Sequence, residues 1–362
     1  MAMNIIHFAN HFLPSIGGVQ YSVARTAEAQ ARLGHRVRVI TETMVDNTFD
    51  DEAQPYDITR FRVPVLRPFT RLMYWRWMWN QRAVLNAADV LHFHDYTTFF
   101  HWFLPLRAVV RRPLYAVTFH GFEHWPVKRR HQWMRCATAR CTRVRIGVGS
   151  YITSLYRHPV DHVMLGAPVR TLPRLPRAEA PVFAYVGRLA GDTGLLPLAL
   201  ALRTLAHRRD TDIVLRLAGE GPLRDTLVAL SDERFRIEEH GPVTDVSAVL
   251  AEARYIISGG FLGLFDAFQT GIPVIVPAFS DIRRLYIHSI PAVEDYCTIL
   301  ECEGEVEEVL EAVLLESEDG ALARAEAAER FVRGLSWDAI ASDIVEWYCR
   351  ARPANGVRMS GG

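Results

Sequence analysis

The feature that most constrains the fold is an alternation of short apolar runs with amphipathic helical segments. The first half of the chain has five apolar runs of strand length: Asn4–Phe8, Val37–Thr41, Val90–His94, Leu114–Phe119 and Arg145–Gly149. An amphipathic helix is predicted between the first two, from about Val19 to Leu33, and it ends at Gly34, a typical C-capping residue. Strands separated by helices indicate a parallel sheet with helices on both faces.

The same alternation restarts after a proline-rich stretch. Pro168, Pro173, Pro176 and Pro181 predict an extended linker, because proline and the residue before it disfavour helix. Five more strands are predicted beyond it: Val182–Val186, Ile213–Ala218, Phe235–Glu238, Tyr255–Ser258 and Pro273–Pro277. The helices predicted between them are Leu195–His207, Pro222–Leu230, Val243–Ala251 and Leu264–Thr270. An acidic helical region over 304–334 and a last helix near Ser336–Tyr348 follow.

The chain is therefore predicted to be an α/β protein with two doubly wound, Rossmann-like domains. The expected division is residues 1–170, residues 171–335, a helix over 336–352 that returns to the N-terminal domain, and a disordered tail over 353–362. In folds of this class, ligands bind outside the carboxyl ends of the strands, so a cleft between two such sheets is the expected site.

The charge of the chain follows the same division. Residues 1–178 carry 24 Lys/Arg and 11 Asp/Glu, a net charge of +13, whereas residues 179–362 carry 17 and 30, a net charge of −13. The total charge is zero, and no nucleic-acid-binding module is recognised, so a nucleic-acid partner is not expected. A basic first half suits an anionic ligand, acceptor or lipid surface.

The sequence carries no targeting or membrane-spanning signal that we can recognise. Met1–His7 lacks the basic and apolar regions of a signal peptide, and no uncharged apolar run reaches the roughly 18 residues of a membrane span. The five cysteines form no CxxC pair and have no histidines at zinc-finger spacing. A cytoplasmic protein with reduced thiols and no bound metal is expected.

Glycine-rich loops follow several of the predicted strands. Pro14–Val19 contains Gly17 and Gly18 at the start of the first helix, where free N–H groups favour an anion. Three further loops lie in the second half: Gly187-Arg188-Leu189, Gly219-Glu220-Gly221 and the segment from Ser258 to Leu264. Arginine suits bidentate phosphate contact, although ordinary turns between strands and helices explain each loop equally well.

A histidine stands at the end of another predicted strand, in the sequence Thr118-Phe119-His120-Gly121-Phe122-Glu123. Its position at a carboxyl end would allow His120 to hydrogen-bond a sugar hydroxyl or a phosphate. A purely structural histidine is the alternative.

In this order the motifs resemble those of the retaining GT-B glycosyltransferases of glycosyltransferase family 4, also called group 1. The N-terminal half matches in Pro14-x-x-Gly17-Gly18-Val19, Leu33-Gly34-His35, Val90-x-His92-x-His94-Asp95 and Thr118-x-His120-Gly121. The C-terminal half matches in Val186-Gly187-Arg188-Leu189, Gly219-x-Gly221-Pro222-Leu223, His240-Gly241 and Gly271-x-Pro273-Val274. The ordered series is more specific than any single motif.

The resemblance implies a GT-B fold, a nucleoside-diphosphate sugar donor held mainly by the C-terminal domain, an acceptor held by the N-terminal domain, and no metal or other cofactor. It implies catalytic roles for His120 and Arg188, and acceptor binding by His94, Asp95 and Glu123. The implied donor-binding residues are Gly17, Gly18, Arg188, Gly219, Gly221, Phe261, Leu262, Gly263, Leu264 and, for the ribose, Asp266.

The sequence departs from the family pattern at two donor positions. The family's phosphate-binding lysine would precede Gly194, where this chain has Thr193, and its first glutamate has no counterpart near Gly259 and Gly260. Arg283 or Arg284 would supply the missing positive charge, with a solvated basic turn as the alternative. These departures keep two other functions open: a GT-B pseudoenzyme that binds a partner without transfer, and a nucleotide-sugar epimerase.

Two segments of the basic half suggest contact with a membrane surface. Residues 72–80 interleave arginine with tryptophan, and residues 128–145 contain a run of basic side chains. Such a composition suits the interface of an anionic bilayer. The alternative is that the tryptophans pack in a core helix and the arginines are merely solvated.

Overall fold

The computed structural model describes residues 2–15, 17–43, 49–62, 69–121 and 125–352. It divides into two compact units, a first unit of Met1–Gly166 with Trp337–Gly362 and a second unit of Ala167–Ser336. The first carries 24 Lys/Arg and 14 Asp/Glu, or +10, and the second 17 and 27, or −10. The tail over 353–362, predicted to be disordered, lies outside the described residues.

The first unit is built on a parallel sheet of seven strands in the order β3-β2-β1-β4-β5-β6-β7. The order reverses direction between β1 and β4, which makes that pair the topological switch point. The strands are β1 Asn4–Ala9, β2 Arg36–Glu42, β3 Asp57–Phe61, β4 Val90–His94, β5 Leu114–Phe119, β6 Val144–Val148 and β7 His162–Met164. The helices are α1 Gly18–Arg32, α2 Thr70–Asn80, α3 Arg82–Ala87, α4 Asp95–Thr98, α5 Arg129–Cys141 and α6 Tyr151–Leu155, with a π-helical turn at Phe99–Phe103 and a 3₁₀ turn at Leu104–Ala108.

The two faces of this sheet have different chemistry because side chains alternate along each strand. On one face, Phe8 stacks on Phe93 with ring centroids 4.7 Å apart, and Phe103 packs against both. On the opposite face, the neighbouring positions are His7, His92 and His94, all buried. The sequence pattern of histidine alternating with apolar residues therefore separates a polar face from an aromatic one.

The second unit has a parallel sheet of six strands in the order β10-β9-β8-β11-β12-β13, with its switch point between β8 and β11. The strands are β8 Val182–Val186, β9 Ile213–Ala218, β10 Phe235–Gly241, β11 Tyr255–Ile257, β12 Val274–Pro277 and β13 Thr298–Leu300. The helices are α7 Leu195–Arg208, α8 Arg224–Val228, α9 Ser247–Leu250, α10 Phe261–Phe268, α11 Asp281–Ile287, α12 Val306–Leu315 and α13 Glu318–Arg333. Leu195, Leu198, Leu202 and Leu205 form the apolar stripe by which α7 enters the core.

The last helix, α14 Trp337–Ala351, packs on the first unit. Its Ile344 and Tyr348 are buried in the same cluster as Ile5 and Val90. The predicted return of this helix to the N-terminal domain agrees with that packing. None of the described helices combines the length and apolarity needed to cross a bilayer.

All ten predicted strands are present, and residues 165–181 contain neither helix nor strand, as the linker prediction required. Three strands were not predicted: β3, β7 and β13, which all lie at sheet edges. The helix predicted from Leu264 begins earlier, at Phe261. The loop predicted over Phe261–Gly263 is therefore wrong, because these residues belong to the first turn of α10.

Candidate functional site

Doubly wound sheets bind ligands at the carboxyl ends of the strands that flank the switch point. In the first unit these are the ends of β1 and β4, with β5 beside them, and we call this region the first-unit edge: residues 10–15, Gly17, Gly18, Asp95, His120 and Gly121. In the second unit they are the ends of β8 and β11, and we call residues 187–194 and 258–263 the second-unit edge. Most of the predicted site residues lie at one of these two edges.

The glycine loop at the first-unit edge leads directly into α1, which begins at Gly18. A Cβ added to Gly17 would lie 2.4 Å from Gln20 Oε1, whereas a Cβ on Gly18 would meet no atom within 4 Å. The helix start therefore has open space beside Gly18, where its first N–H groups would favour an anion. The predicted role of Gly17 and Gly18 in donor binding stays a prediction.

A chain of buried histidines leads to His120. His120 Nε2 lies 2.8 Å from His94 Nδ1, and His94 Nε2 lies 2.9 Å from His7 Nδ1. His7 Nε2 lies 2.7 Å from Oε1 of Gln30 on α1. His92 lies beside this chain, with its Nε2 2.7 Å from Thr118 Oγ1 and its Nδ1 2.5 Å from the Tyr348 hydroxyl of α14. The chain is continuous from the interior to the edge.

Strand register brings these side chains together. His7 of β1 is the register partner of His92 in β4, and His94 is the register partner of Thr118 in β5. Residues two apart on a strand face the same side, so His94 follows His92 and His120 follows Thr118. The His-x-His and Thr-x-His patterns thus place one histidine network on one face of the sheet.

All four histidines are neutral at physiological pH. Burial lowers the pKa of His7 to about 4 and that of His120 to about 3. Burial, together with the neighbouring histidines, holds the pKa values of His92 and His94 well below the ordinary value of 6.5. The network can therefore donate and accept hydrogen bonds, but it carries no charge for an anion.

This cluster also has the spacing of a metal site, because one ring nitrogen from each of His7, His92 and His94 lies within 4.8 Å of the others. All six ring nitrogens, however, already have hydrogen-bond partners. A metal ion would have to displace those bonds, so we interpret the cluster as a hydrogen-bonded network.

Asp95 holds the backbone of the His120 loop. It adopts the left-handed conformation, with φ 63°, and its Oδ1 accepts a hydrogen bond of 3.1 Å from the His120 N–H. Arg135 Nη2 lies 3.7 Å from the same oxygen and donates to Gly121 O. The Arg135 guanidinium is fully buried, 3.9 Å from the centroid of the Tyr156 ring. The prediction that Arg135 belongs to a basic surface is therefore wrong.

The three predicted acceptor residues have different surroundings. His94 is buried and both of its ring nitrogens are hydrogen-bonded within the network. The Asp95 side chain is 22% exposed and is engaged with the His120 loop. Glu123 lies outside the described residues. Acceptor binding by these residues stays a prediction.

At the second-unit edge, Gly219 and Gly221 allow two loops to touch. Their φ values are +142° and +155°, and a Cβ on Gly219 would lie 1.9 Å from Gly187 O. A Cβ on Gly221 would lie 2.2 Å from Leu189 O. Backbone hydrogen bonds join the loops, including Leu189 N–H to Glu220 O at 2.8 Å. These glycines therefore shape the loop that carries Arg188, whatever their direct contact with a donor.

Arg188 presents its charge to solvent. Its side chain is 68% exposed, and its Nη2 lies 2.9 Å from Asp192 Oδ2. The Tyr185 hydroxyl donates a hydrogen bond of 2.8 Å to the backbone carbonyl of Arg188. The backbone is thus fixed while the guanidinium remains at the surface of the edge.

Arg283 adds a second guanidinium at the same edge. Its Nη1 donates a 2.6 Å hydrogen bond to Gly259 O, and its Nη2 lies 4.0 Å from the Asp192 oxygen that pairs with Arg188. Its side chain is 18% exposed, and burial lowers its pKa. A Cβ on Gly259 would lie 2.9 Å from Arg283 Nη1, so the glycine makes room for the guanidinium.

Arg284 has different partners and does not share this position. It forms an ion pair with Asp281 and donates a 2.9 Å hydrogen bond to Glu301 O. Of the two arginines proposed from the sequence, Arg283 is therefore the one that joins Arg188 and Asp192.

Thr193 occupies an interior position. It is buried, and its hydroxyl donates a 2.7 Å hydrogen bond to Ala190 O within a 3₁₀ turn. The following Gly194 has φ 75°, and a Cβ there would lie 2.6 Å from Pro277 Cβ. The local packing thus suits a short hydroxyl side chain at the position where the resembling family has lysine.

The first turn of α10 supplies the remaining predicted donor groups. Phe261 N–H donates a 2.8 Å hydrogen bond to the Tyr286 hydroxyl, and the two rings stack with centroids 3.8 Å apart. Leu264 N–H bonds Gly260 O within the helix. The N–H groups of Leu262 and Gly263 lie between these, at the helix start, and make no such bond in the part of the chain that the structure describes.

Asp266 is buried and its oxygens are engaged. Oδ1 accepts hydrogen bonds from the N–H groups of Val169 and Arg170 at 2.7 and 3.1 Å, and Oδ2 lies 3.1 Å from Arg170 Nη1. Burial raises the pKa of this carboxyl, and the contacts with Arg170 oppose the rise. Asp266 therefore binds the backbone of the linker at Val169 and Arg170. Its predicted contact with a ribose stays a prediction.

The tryptophan-rich segment over 72–80 divides between interior and surface. Trp77 stacks on Phe61 with centroids 4.4 Å apart. Phe69, just before α2, and Leu72 and Trp79 on α2 are 61%, 59% and 48% exposed. Three arginines with exposed side chains lie among them or just beyond: Arg71, Arg76 and Arg82. We call these six residues the α2 stripe.

Comparison with known proteins agrees with the two-unit architecture. Residues 16–173 match the family model described as Glycosyltransferase Family 4. No curated protein matches the sequence. Three solved structures superpose over nearly the whole chain at low sequence identity, which informs on the fold alone.

A glycosyltransferase from Rickettsia africae is 16% identical, with a TM-score of 0.70 over 97% of this chain and 98% of its own. A sucrose-phosphate synthase from Thermosynechococcus elongatus is 16% identical, with a TM-score of 0.73 over 96% and 98%. The Anabaena protein HepE, solved in complex with UDP and glucose, is 13% identical, with a TM-score of 0.71 over 95% and 98%. These likenesses confirm the predicted GT-B fold class.

Proposed function

We propose that this protein is a metal-independent, retaining glycosyltransferase that moves a sugar from a nucleoside-diphosphate sugar to an acceptor. The observation that carries the proposal is the convergence of Arg188 and Arg283 on Asp192 beside the start of α10, at the switch point of the second unit. Two guanidiniums and free helix N–H groups are suited to a diphosphate. The family match over 16–173 and the GT-B fold support the same class.

The chemistry follows from the charge that develops on the leaving group. When the bond between the sugar and the diphosphate breaks, negative charge grows on the diphosphate, and preorganised cations and N–H groups stabilise it. Arg188 and Arg283 would bind the phosphate oxygens, and Leu262 and Gly263 would donate their N–H groups. A retaining transfer then requires the acceptor hydroxyl to attack the same face of the sugar that the diphosphate leaves.

The first unit would contribute hydrogen bonds from neutral groups and from two carboxylates. His120 would bind a hydroxyl of the donor sugar, and the amides of Gly17 and Gly18 would serve phosphate or sugar oxygens. Asp95 and Glu123 would contact the acceptor hydroxyls, with His94 beside them. No metal or further cofactor is needed in this scheme, because the arginines supply the positive charge.

The test is isothermal titration of the protein with UDP-, GDP-, dTDP- and ADP-glucose, followed by product analysis. We expect one donor to bind, chelator to leave the binding unchanged, and the product to keep the anomeric configuration of the donor by NMR. Binding without transfer to any acceptor would favour the pseudoenzyme, and release of an altered free sugar would favour the epimerase. Absence of binding to all four, with an intact fold, would overturn the proposal.

We further propose that the α2 stripe docks on an anionic lipid surface. Three large apolar side chains exposed beside three arginines, on α2 and at its two ends, fit the headgroup region of such a surface, and the first unit carries net positive charge. Lys128, Arg129 and Arg130 are also exposed and would add attraction.

Sedimentation with vesicles tests the docking proposal. We expect binding to phosphatidylglycerol vesicles and little to phosphatidylcholine vesicles, and we expect Leu72→Asn with Trp79→Asn to abolish it. Leu200→Asn is the matched control, because Leu200 is 45% exposed on α7 of the second unit. Equal sedimentation of the double variant and the control would contradict the proposal.

A further inference from the structure

The hydrogen bonds of the histidine chain all donate in one direction, and Gln30 at the inner end of the chain determines which direction. Gln30 Oε1 can only accept a hydrogen bond, so the proton between it and His7 belongs to His7 Nε2. Because His7 is neutral, its Nδ1 then has no proton and must accept from His94 Nε2. His94 is neutral in turn, so its Nδ1 accepts from His120 Nε2.

The Gln30 amide has the Tyr348 hydroxyl as its other neighbour. Burial raises the pKa of that hydroxyl, and the Gln30 side chain acts in the opposite direction. Gln30 Nε2 is buried and has no hydrogen-bond partner in the described part of the chain. The direction of the chain therefore follows from Oε1, rather than Nε2, facing His7.

The outer end of the chain is where this direction matters. His120 is 8% exposed at the carboxyl end of β5, and its Nε2 is committed to His94. Its Nδ1 has no hydrogen-bond partner among the described residues. Burial lowers the pKa of the His120 imidazole, and the positive charge of Arg135 lowers it further. His120 therefore stays neutral, and Nδ1 is its ring nitrogen without a hydrogen-bond partner among the described residues.

We propose that Gln30, acting through His7 and His94, is a positioning residue that fixes the tautomer of His120. The proton of His120 is held on Nε2, and Nδ1 presents a bare lone pair at the first-unit edge. An imidazole in this form accepts a hydrogen bond from a hydroxyl group and offers no N–H to a phosphate. This specificity for a hydroxyl donor rests on the proposed function, whereas the tautomer itself does not.

The tautomer is read directly by NMR of the ¹⁵N-histidine-labelled protein without any ligand. Protonated and bare ring nitrogens have distinct ¹⁵N shifts, and a His120→Asn variant identifies the His120 signals. We expect His120 to carry its proton on Nε2 at pH 7.5. A proton on Nδ1 in the unmodified protein would overturn the proposal without requiring any variant.

Variants then test whether Gln30 is the cause. Gln30→Leu removes the acceptor, so we expect a mixture of His120 tautomers and a loss of about tenfold in kcat/KM with the donor found by titration. Gln30→Glu keeps an acceptor at the same place and should restore the single tautomer. Thr26→Val is the matched control, since it removes a buried hydroxyl from the same helix one turn earlier and should change neither reading.

The outcomes separate this inference from the proposed function. An unchanged His120 tautomer in a folded Gln30→Leu variant would overturn the positioning role, even if the protein transfers sugar. A mixed tautomer in Gln30→Leu, with no transfer by any form of the protein, would support the positioning role and count against the proposed function.

Discussion

At the first-unit edge the buried histidines are neutral, whereas at the second-unit edge the two arginines are charged. His120 ends a buried chain of uncharged imidazoles, while Arg188 and Arg283 bring two permanent cations to one aspartate. A neutral network recognises hydroxyl groups by direction, and a pair of guanidiniums recognises an anion by charge and geometry. The two sheets share one architecture, so the difference between their edges comes from a few side chains.

Acid should have the largest effect on this difference, because it protonates the neutral histidines of the first unit. The native pKa values of the four histidines lie far below the unfolded value of about 6.5. Between those values the unfolded chain binds more protons, so stability is full above pH 6.5 and falls as the pH falls. Each histidine should remove about 1 kcal/mol of stability between pH 6.5 and 5.5.

Denaturant titrations from pH 8 to 5 measure this dependence. His92→Asn should reduce the slope of unfolding free energy against pH most at the acid end of this range, where the reduction approaches about 1.4 kcal/mol per pH unit, the value for one proton. The slope, rather than the absolute stability, is the test, because the substitution also disturbs packing. Stability that is constant from pH 7 to 5 would show that the histidines are not held neutral.

Substitution of glycine by alanine should destabilise the protein differently at the two edges, because only one of the two glycines contacts a neighbouring backbone. Gly219→Ala places a Cβ 1.9 Å from Gly187 O at a positive φ, so we expect a loss of about 3 kcal/mol in unfolding free energy. Gly18→Ala meets no atom within 4 Å at the start of a helix and should change stability by less than about 1 kcal/mol. Urea denaturation of both variants measures the contrast, and equal losses would contradict it.

Removal of one arginine tests whether the charge at the second-unit edge binds the donor. Arg283→Leu should lower kcat/KM for the donor about a hundredfold, or roughly 2.7 kcal/mol, because the diphosphate loses a preorganised guanidinium. Arg284→Leu is the neighbouring control and should change it little, since Arg284 pairs with Asp281. If the two variants have the same kcat/KM, Arg283 does not replace the missing lysine.

The sequence predicted the fold better than the contacts within the site. Ten strands were found because each carries a continuous or alternating apolar run, but β3, β7 and β13 lie at sheet edges, are short and are only partly buried, which weakens that pattern. Arg135 was placed on the surface because arginine is usually exposed, and only tertiary packing against Tyr156 reveals a buried one.

The histidine chain was missed for a similar reason. His7, His92, His94 and His120 were visible in the sequence, and alternation predicts that His92 and His94 share a face. The register between β1 and β4, and the arrival of Gln30 and Tyr348 from two helices, depend on contacts between residues far apart in the chain. No local pattern encodes those contacts.

Asp266 gives the smallest expected effect. It is a predicted donor residue of the second unit, but its carboxylate is hydrogen-bonded to Val169 and Arg170. Asp266→Asn keeps the shape of the side chain but removes one acceptor from the bonds to Val169 and Arg170. We expect a loss of about 2 kcal/mol in stability, as for one hydrogen bond to a charged group, with an unchanged KM for the donor. A variant of unchanged stability with a tenfold higher KM would instead assign Asp266 to the ribose, and its linker contacts would then have to open when the donor binds.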